Sequence, residues 1–218
     1  MNKKLAIYLG FFVLLTAGFF VFIFGGTDRW KPKLPVMNHV KYFSFTSQDG
    51  TPVTQDDVLG KVYVVEYFFT TCKGICPKMN TNMKRIYDIY KENSDFAILS
   101  HTVDPEGDSV AVLKHYADSI APGAKNWWFL TGRKDSLYFA ARASYLLDDP
   151  KNELEAIAEQ FIHTQFFALV DKAGRVRGIY DGLKEDEIQK LKKDIASLLN
   201  ENPPRAATSG NLFNSNPM

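Results

Sequence analysis

Cys72 and Cys76 are the only cysteines among the 218 residues, and they lie three residues apart in Thr71-Cys72-Lys73-Gly74-Ile75-Cys76-Pro77. Sulfur nucleophiles and soft metal ligands are both thiolates, so this pair can do redox chemistry or bind a soft cation. A bridge enclosing three residues constrains little of the unfolded chain, which makes a purely structural staple the weaker reading. Thioredoxin-type pairs are spaced by two residues, so ordinary thioredoxin activity is also disfavoured. Two thiolates are an incomplete set for copper(I), and a third ligand is wanted. Zinc would ask for a fourth, and no third cysteine exists. The chain has four histidines. His39 precedes the first expected strand and His115 sits beside Lys114 in an expected helix, so both read as solvated. His101 near a strand end and His163 just before a strand remain as candidates, and spacing does not choose between them.

The pair must be positioned by the elements around it. Lys61 to Thr70 has the β-branched and aromatic centre VYVVEYFF and reads as a buried strand leading straight into Cys72. Pro77 suits the first turn of a helix, and Met79, Met83, Ile86, Tyr87 and Tyr90 continue with helical spacing. A helix N-terminus favours thiolate, so the sulfurs should be more acidic than a free cysteine. Lys41 to Phe45 alternates as a half-buried strand. Phe96 to Val103 and Trp127 to Leu130 read as strands, with Val110 to Ile120 and Ser136 to Leu146 as helices. Phe166 to Val170 and Val176 to Tyr180 form a hairpin across Asp171 to Gly174, and Glu185 to Leu199 is an amphipathic last helix. Alternating strands and helices followed by a hairpin and a helix imply an α/β fold with a mixed central sheet.

Leu5 to Phe24 is a run of twenty residues without charge; at about 1.5 Å per residue such a helix crosses one bilayer. It exceeds the h-region of a cleaved signal, so a retained anchor is expected, with the N-terminus inside. The start leaves no room for a transit peptide, which points to a bacterial protein, and no cysteine near the span offers a lipid attachment site. The expected organisation is a transmembrane anchor at 1–25, a linker at 26–39, one domain at 40–200 and a disordered Pro-, Ser- and Asn-rich tail at 201–218. A formal charge of +1 without clustered basic residues argues against a nucleic-acid partner.

Four segments in order carry a family resemblance: Cys72 to Pro77; Val103-Asp104-Pro105-Glu106 with Asp108-Ser109; Trp128-Phe129-Leu130-Thr131-Gly132; and His163 ahead of a strand and the Asp171-x-x-Gly174 turn. From about Val40 to Leu199 the chain resembles the Sco/SenC family of copper-binding, thioredoxin-fold proteins. The resemblance implies a copper site formed by Cys72, Cys76 and His163. It also implies a redox pair in the two cysteines and a role in assembling the dinuclear copper centre of cytochrome c oxidase. Partners would be the copper-bearing oxidase subunit or its assembly factors, met on the outer, periplasmic face of the plasma membrane. Whether such a protein is an enzyme stays open. The alternative function is a membrane-anchored thiol-disulfide oxidoreductase or redox sensor without copper delivery. Gly74, Ile162 and Gly107 depart from the family pattern, standing where Asp, Asp and Arg are common, and the loss of two carboxylates makes the site less anionic. Asp104 is either a supporting group behind the ligands or a strand-end turn residue.

Overall fold

The computed structural model describes residues 3–24, 34–149, 151, 162 and 164–201. Two units are separate in it, 1–34 and 35–218. The first contains helix α1 (Lys3–Phe24), long and apolar enough to cross a membrane.

The second unit is built on one eight-stranded mixed sheet in the order β1-β8-β7-β4-β5-β6-β2-β3. Its central strand β4 (Val62–Phe68) is buried along its whole length, as its apolar run, interrupted only by Glu66, requires. β4 pairs in parallel with β5 (Phe96–Thr102), and β5 with β6 (Trp127–Thr131). Parallel neighbours need crossovers, and helices α3 (Cys76–Tyr90) and α4 (Val110–Ile120) supply them. On its other side β4 pairs antiparallel with β7 (Phe166–Val170), which turns into β8 (Arg175–Asp181) through Asp171 to Gly174. Helix α6 (Glu185–Leu199) buries Ile188, Leu191, Ile195 and Leu198, the face expected from its spacing.

The strand expected over Lys41 to Phe45 lies later, as β2 (Ser44–Ser47), and forms a hairpin with β3 (Pro52–Thr54), which runs into the single turn α2 (Gln55–Val58). Ser47 Oγ accepts from the backbone N–H of Asp49 and Thr51, so the chain stays paired up to the turn itself. Asn38–His39 form an edge strand β1 on β8. The helix expected over Ser136 to Leu146 starts earlier, as α5 (Lys134–Phe139), and widens into a π-helical turn, Ala140–Tyr145. Asn38 Nδ2 donates to the carbonyls of Ala143 and Ser144, and Leu146 closes the turn at φ 59°.

Alternation along β4 and β5 sends Glu66 and His101 to opposite faces of the sheet. Glu66 is fully buried with Ser100 Oγ donating to Oε1 and Trp127 Nε1 donating to Ser100. Burial pushes its carboxyl up to about 7, partly offset by Ser100. On the other face His101 is enclosed by Phe45, Tyr67 and Tyr145, and burial pushes its imidazole down to about 3.

Each group has its own pH signature. The unfolded chain protonates His101 below about 6.5 whereas the folded one resists until about 3. Stability is therefore lost as pH falls through that window. His101→Phe should remove this loss, keeping about 2 kcal/mol more of its stability than the parent on going from pH 7 to 4.5. Equal acid sensitivity in urea titrations would contradict a neutral, enclosed imidazole. For Glu66 the folded carboxyl is the weaker acid, so stability falls as pH rises from about 4.5 to about 7. Glu66→Gln should stabilise the metal-free protein at pH 8 by on the order of 1–3 kcal/mol, with little gain at pH 4.

Candidate metal centre

Both cysteines sit where β4 hands over to α3. Past Phe68 the chain is pinned by one carboxylate. Asp108 accepts from the Thr70 backbone N–H, from Thr70 Oγ1 and from Thr102 Oγ1. Thr70 lies two residues before Cys72, and Thr102 ends β5, so Asp108 fixes the ends of both central strands beneath the cysteine loop. Cys72 N then donates to Phe69 O at 3.2 Å. α3 opens at Cys76 with Pro77 in its first turn, where a missing N–H costs nothing.

The two thiols have unlike surroundings. Both are free; Cys72 is partly exposed and Cys76 is buried. Burial disfavours the Cys72 thiolate, but the Cys76 thiol and the backbone N–H groups of Cys76, Gly74 and Ile75 donate to its sulfur and hold its pKa below the usual thiol range. Burial drives Cys76 the other way, reinforced by the hydrogen bond to Cys72 and by the charges of Cys72 and Glu66. The pair is thus one accessible, acidic sulfur backed by one enclosed, protonated sulfur.

A cleft of about 520 Å³ opens over both cysteines, walled by Tyr67, Phe69, Ile75, Val103, Ile162 and Thr164. His163 lies outside the described residues, but its two neighbours line this cleft. Among the described residues no group of three His, Cys, Asp or Glu side chains could hold a metal. His101 faces the aromatic cage, with neither ring nitrogen hydrogen-bonded, and is not brought to the cysteines. His39 and His115 are exposed, as expected of solvated histidines. Asp104 caps its own turn, accepting from Gly107 N. A Cβ on Gly107 would collide with the Asp104 carboxylate, so a side chain at 107 and this Asp104 conformation exclude each other.

Sequence reasoning missed two residues. Asp108 was visible only as part of a motif, because its partners Thr70 and Thr102 are 38 and 6 residues away. Glu66 gave a signal, a lone acid within an apolar strand, whose meaning depended on the Ser100 and Trp127 partners across the sheet.

A mixed sheet whose central strand delivers a cysteine pair to a helix N-terminus defines a thioredoxin-like thiol protein. Comparison with known proteins narrows this class. The SCO1/SenC family pattern matches residues 33–200. The SCO1 protein homolog of Bacillus subtilis is 32% identical over 187 residues, 84% of this chain and 94% of its own. The structure of BsSco, described as a member of the Sco family of cytochrome c oxidase assembly proteins with a disulfide switch, superposes with TM-score 0.65 at 30% identity, covering 79% of this chain and 99% of that one. Arabidopsis thaliana ScoI with copper bound shares the fold, with TM-score 0.56 at 24% identity over 72% of this chain and 98% of that one. The chain belongs to the SCO1/SenC family.

Asp108→Ala strands three donors and frees the cysteine loop from β5. It should lower stability by about 2–3 kcal/mol and raise amide exchange at Thr70 to Cys72. Wild-type exchange protection in that segment would show that the loop is held by other means.

Proposed function

We propose that this protein is a copper carrier, anchored by α1 in the bacterial plasma membrane with its globular domain outside. Cys72, Cys76 and His163 hold the copper ion, and it serves assembly of the dinuclear copper centre of cytochrome c oxidase. The observation that carries the reading is the cleft in which both thiols lie and whose wall is formed on either side of position 163 by Ile162 and Thr164. Two thiolates and a neutral imidazole suit copper(I), and the nitrogen ligand also tolerates copper(II). Apolar walls limit water access, which slows oxidation of the bound thiolates. Family membership and the copper-bound relative support the same reading.

The unequal sulfurs favour a second reading, thiol-disulfide exchange. Cys72 thiolate attacks a client disulfide, expelling one client thiolate that takes a proton from solvent. Cys76 then loses its proton, attacks the mixed disulfide at Cys72 and expels the second client thiolate. Two electrons pass to the client, and the Cys72–Cys76 disulfide so formed can no longer ligate copper. Copper occupancy and redox state are thereby coupled, and the same residues would serve a redox sensor.

The reduced full chain in detergent should bind one copper tightly, lost in Cys72→Ala and on oxidation to the disulfide. His163→Ala should weaken binding at least about tenfold while leaving two titratable thiols. Copper binding no better than that of Cys72→Ala would leave the oxidoreductase reading standing; unchanged affinity in His163→Ala would remove His163 from the site.

A further inference from the structure

Between Glu66 and Asp88 the sequence carries Lys73, Lys78, Lys84 and Arg85 and not one acid. The structure places Lys73 on the rim of the apolar cleft and Lys84 and Arg85 on the other side of Cys72. Cys72 lines not only the apolar cleft but also a second groove of about 580 Å³ between α3 and α4, whose walls include Thr70, Asn80, Lys84, Arg85 and Tyr116. Lys73 and Lys78 are exposed beside the cysteines and make no ion pair with any described residue. Lys84 pairs with Asp88 and Arg85 with Glu185, but all four side chains are at least 36% exposed. Such surface pairs contribute only about 0–1 kcal/mol, so a carboxylate arriving in the groove can compete for them. The partial positive charge of the α3 N-terminus adds to the same field.

Two of the three acids on the neighbouring β5–α4 loop are engaged within the protein. Asp108 is buried on its threonines and Asp104 is turned onto Gly107, which leaves Glu106 exposed. Gly74 adds no negative charge between the cysteines.

We propose that the α3–α4 groove is the docking surface for the client, and that it takes an acidic segment bearing a cysteine pair. The proposal rests on the thiol chemistry set out above and adds the partner's charge and its path of approach. The acidic segment runs along Lys84 and Arg85 while its cysteines meet Cys72 from the groove side. The apolar cleft on the other side of Cys72 stays free. Electrostatic complementarity of this kind acts chiefly on the association rate and is screened by salt.

The test uses the reduced full chain in neutral detergent and two disulfide-bridged peptides, identical except that Asp or Lys residues flank the bridge. A small neutral disulfide is the control. At low ionic strength the acidic peptide should be reduced at least about tenfold faster than the basic one, and molar salt should erase the difference. Lys78→Glu/Lys84→Glu should reverse that preference when each peptide rate is taken relative to the same variant's rate with the neutral disulfide, while binding copper with the parent stoichiometry. Equal rates for the two peptides, or a preference that survives the double substitution, would overturn the docking proposal alone. No reaction of the parent with any of the three disulfides would overturn the thiol reading and the docking proposal together.

Discussion

The carboxylate of Asp108 is the contact on which the site depends. Two parallel strands that end side by side have no hairpin to tie their ends together, and their loops would otherwise diverge. By accepting from Thr70 and Thr102 at once, Asp108 joins the exits of β4 and β5. The short stretch from Thr70 to α3 then has little freedom, and the N–H groups of Gly74, Ile75 and Cys76 are left to converge on one sulfur. The acidity of Cys72 therefore comes from the Cys76 thiol and from backbone geometry rather than from a charged neighbour.

The same sheet keeps ionisable groups in forms suited to its two faces. Glu66 shares the α3 side with Cys76, and its charge disfavours a second anion there. His101 is held neutral among aromatic rings, where it contributes volume rather than charge. Strand alternation places His101 on the face opposite Glu66, where it is walled in behind Tyr67 and is not grouped with the cysteines.

Around Cys72 the surface divides. One side is a largely apolar cleft, and the other is a groove between α3 and α4 whose wall carries Lys84 and Arg85. The partly exposed sulfur of Cys72 lies on the boundary between the two. Lys73 and Gly74 in the cysteine loop shift this boundary toward positive charge compared with a loop containing Asp.

Much of this was legible in the sequence. The apolar run of β4, the helical spacing after Pro77 and the hairpin around Asp171 to Gly174 each depend on local periodicity and turn chemistry, so α3, β5, α4, β6, β7, β8 and α6 could be read directly. The cysteine pair and its place at a helix N-terminus followed from the same local signals. Edge strand β1, the β2–β3 hairpin and the π-helical turn at Ala140–Tyr145 could not, because distant partners select them: β8 for Asn38, and Asn38 itself for the carbonyls of Ala143 and Ser144. Sequence by itself thus determined which residues can do the chemistry. Tertiary structure decided that the two thiols differ, that His101 turns away and that Asp108 holds the loop, since burial and long-range hydrogen bonds arise only when strands remote in the chain lie side by side.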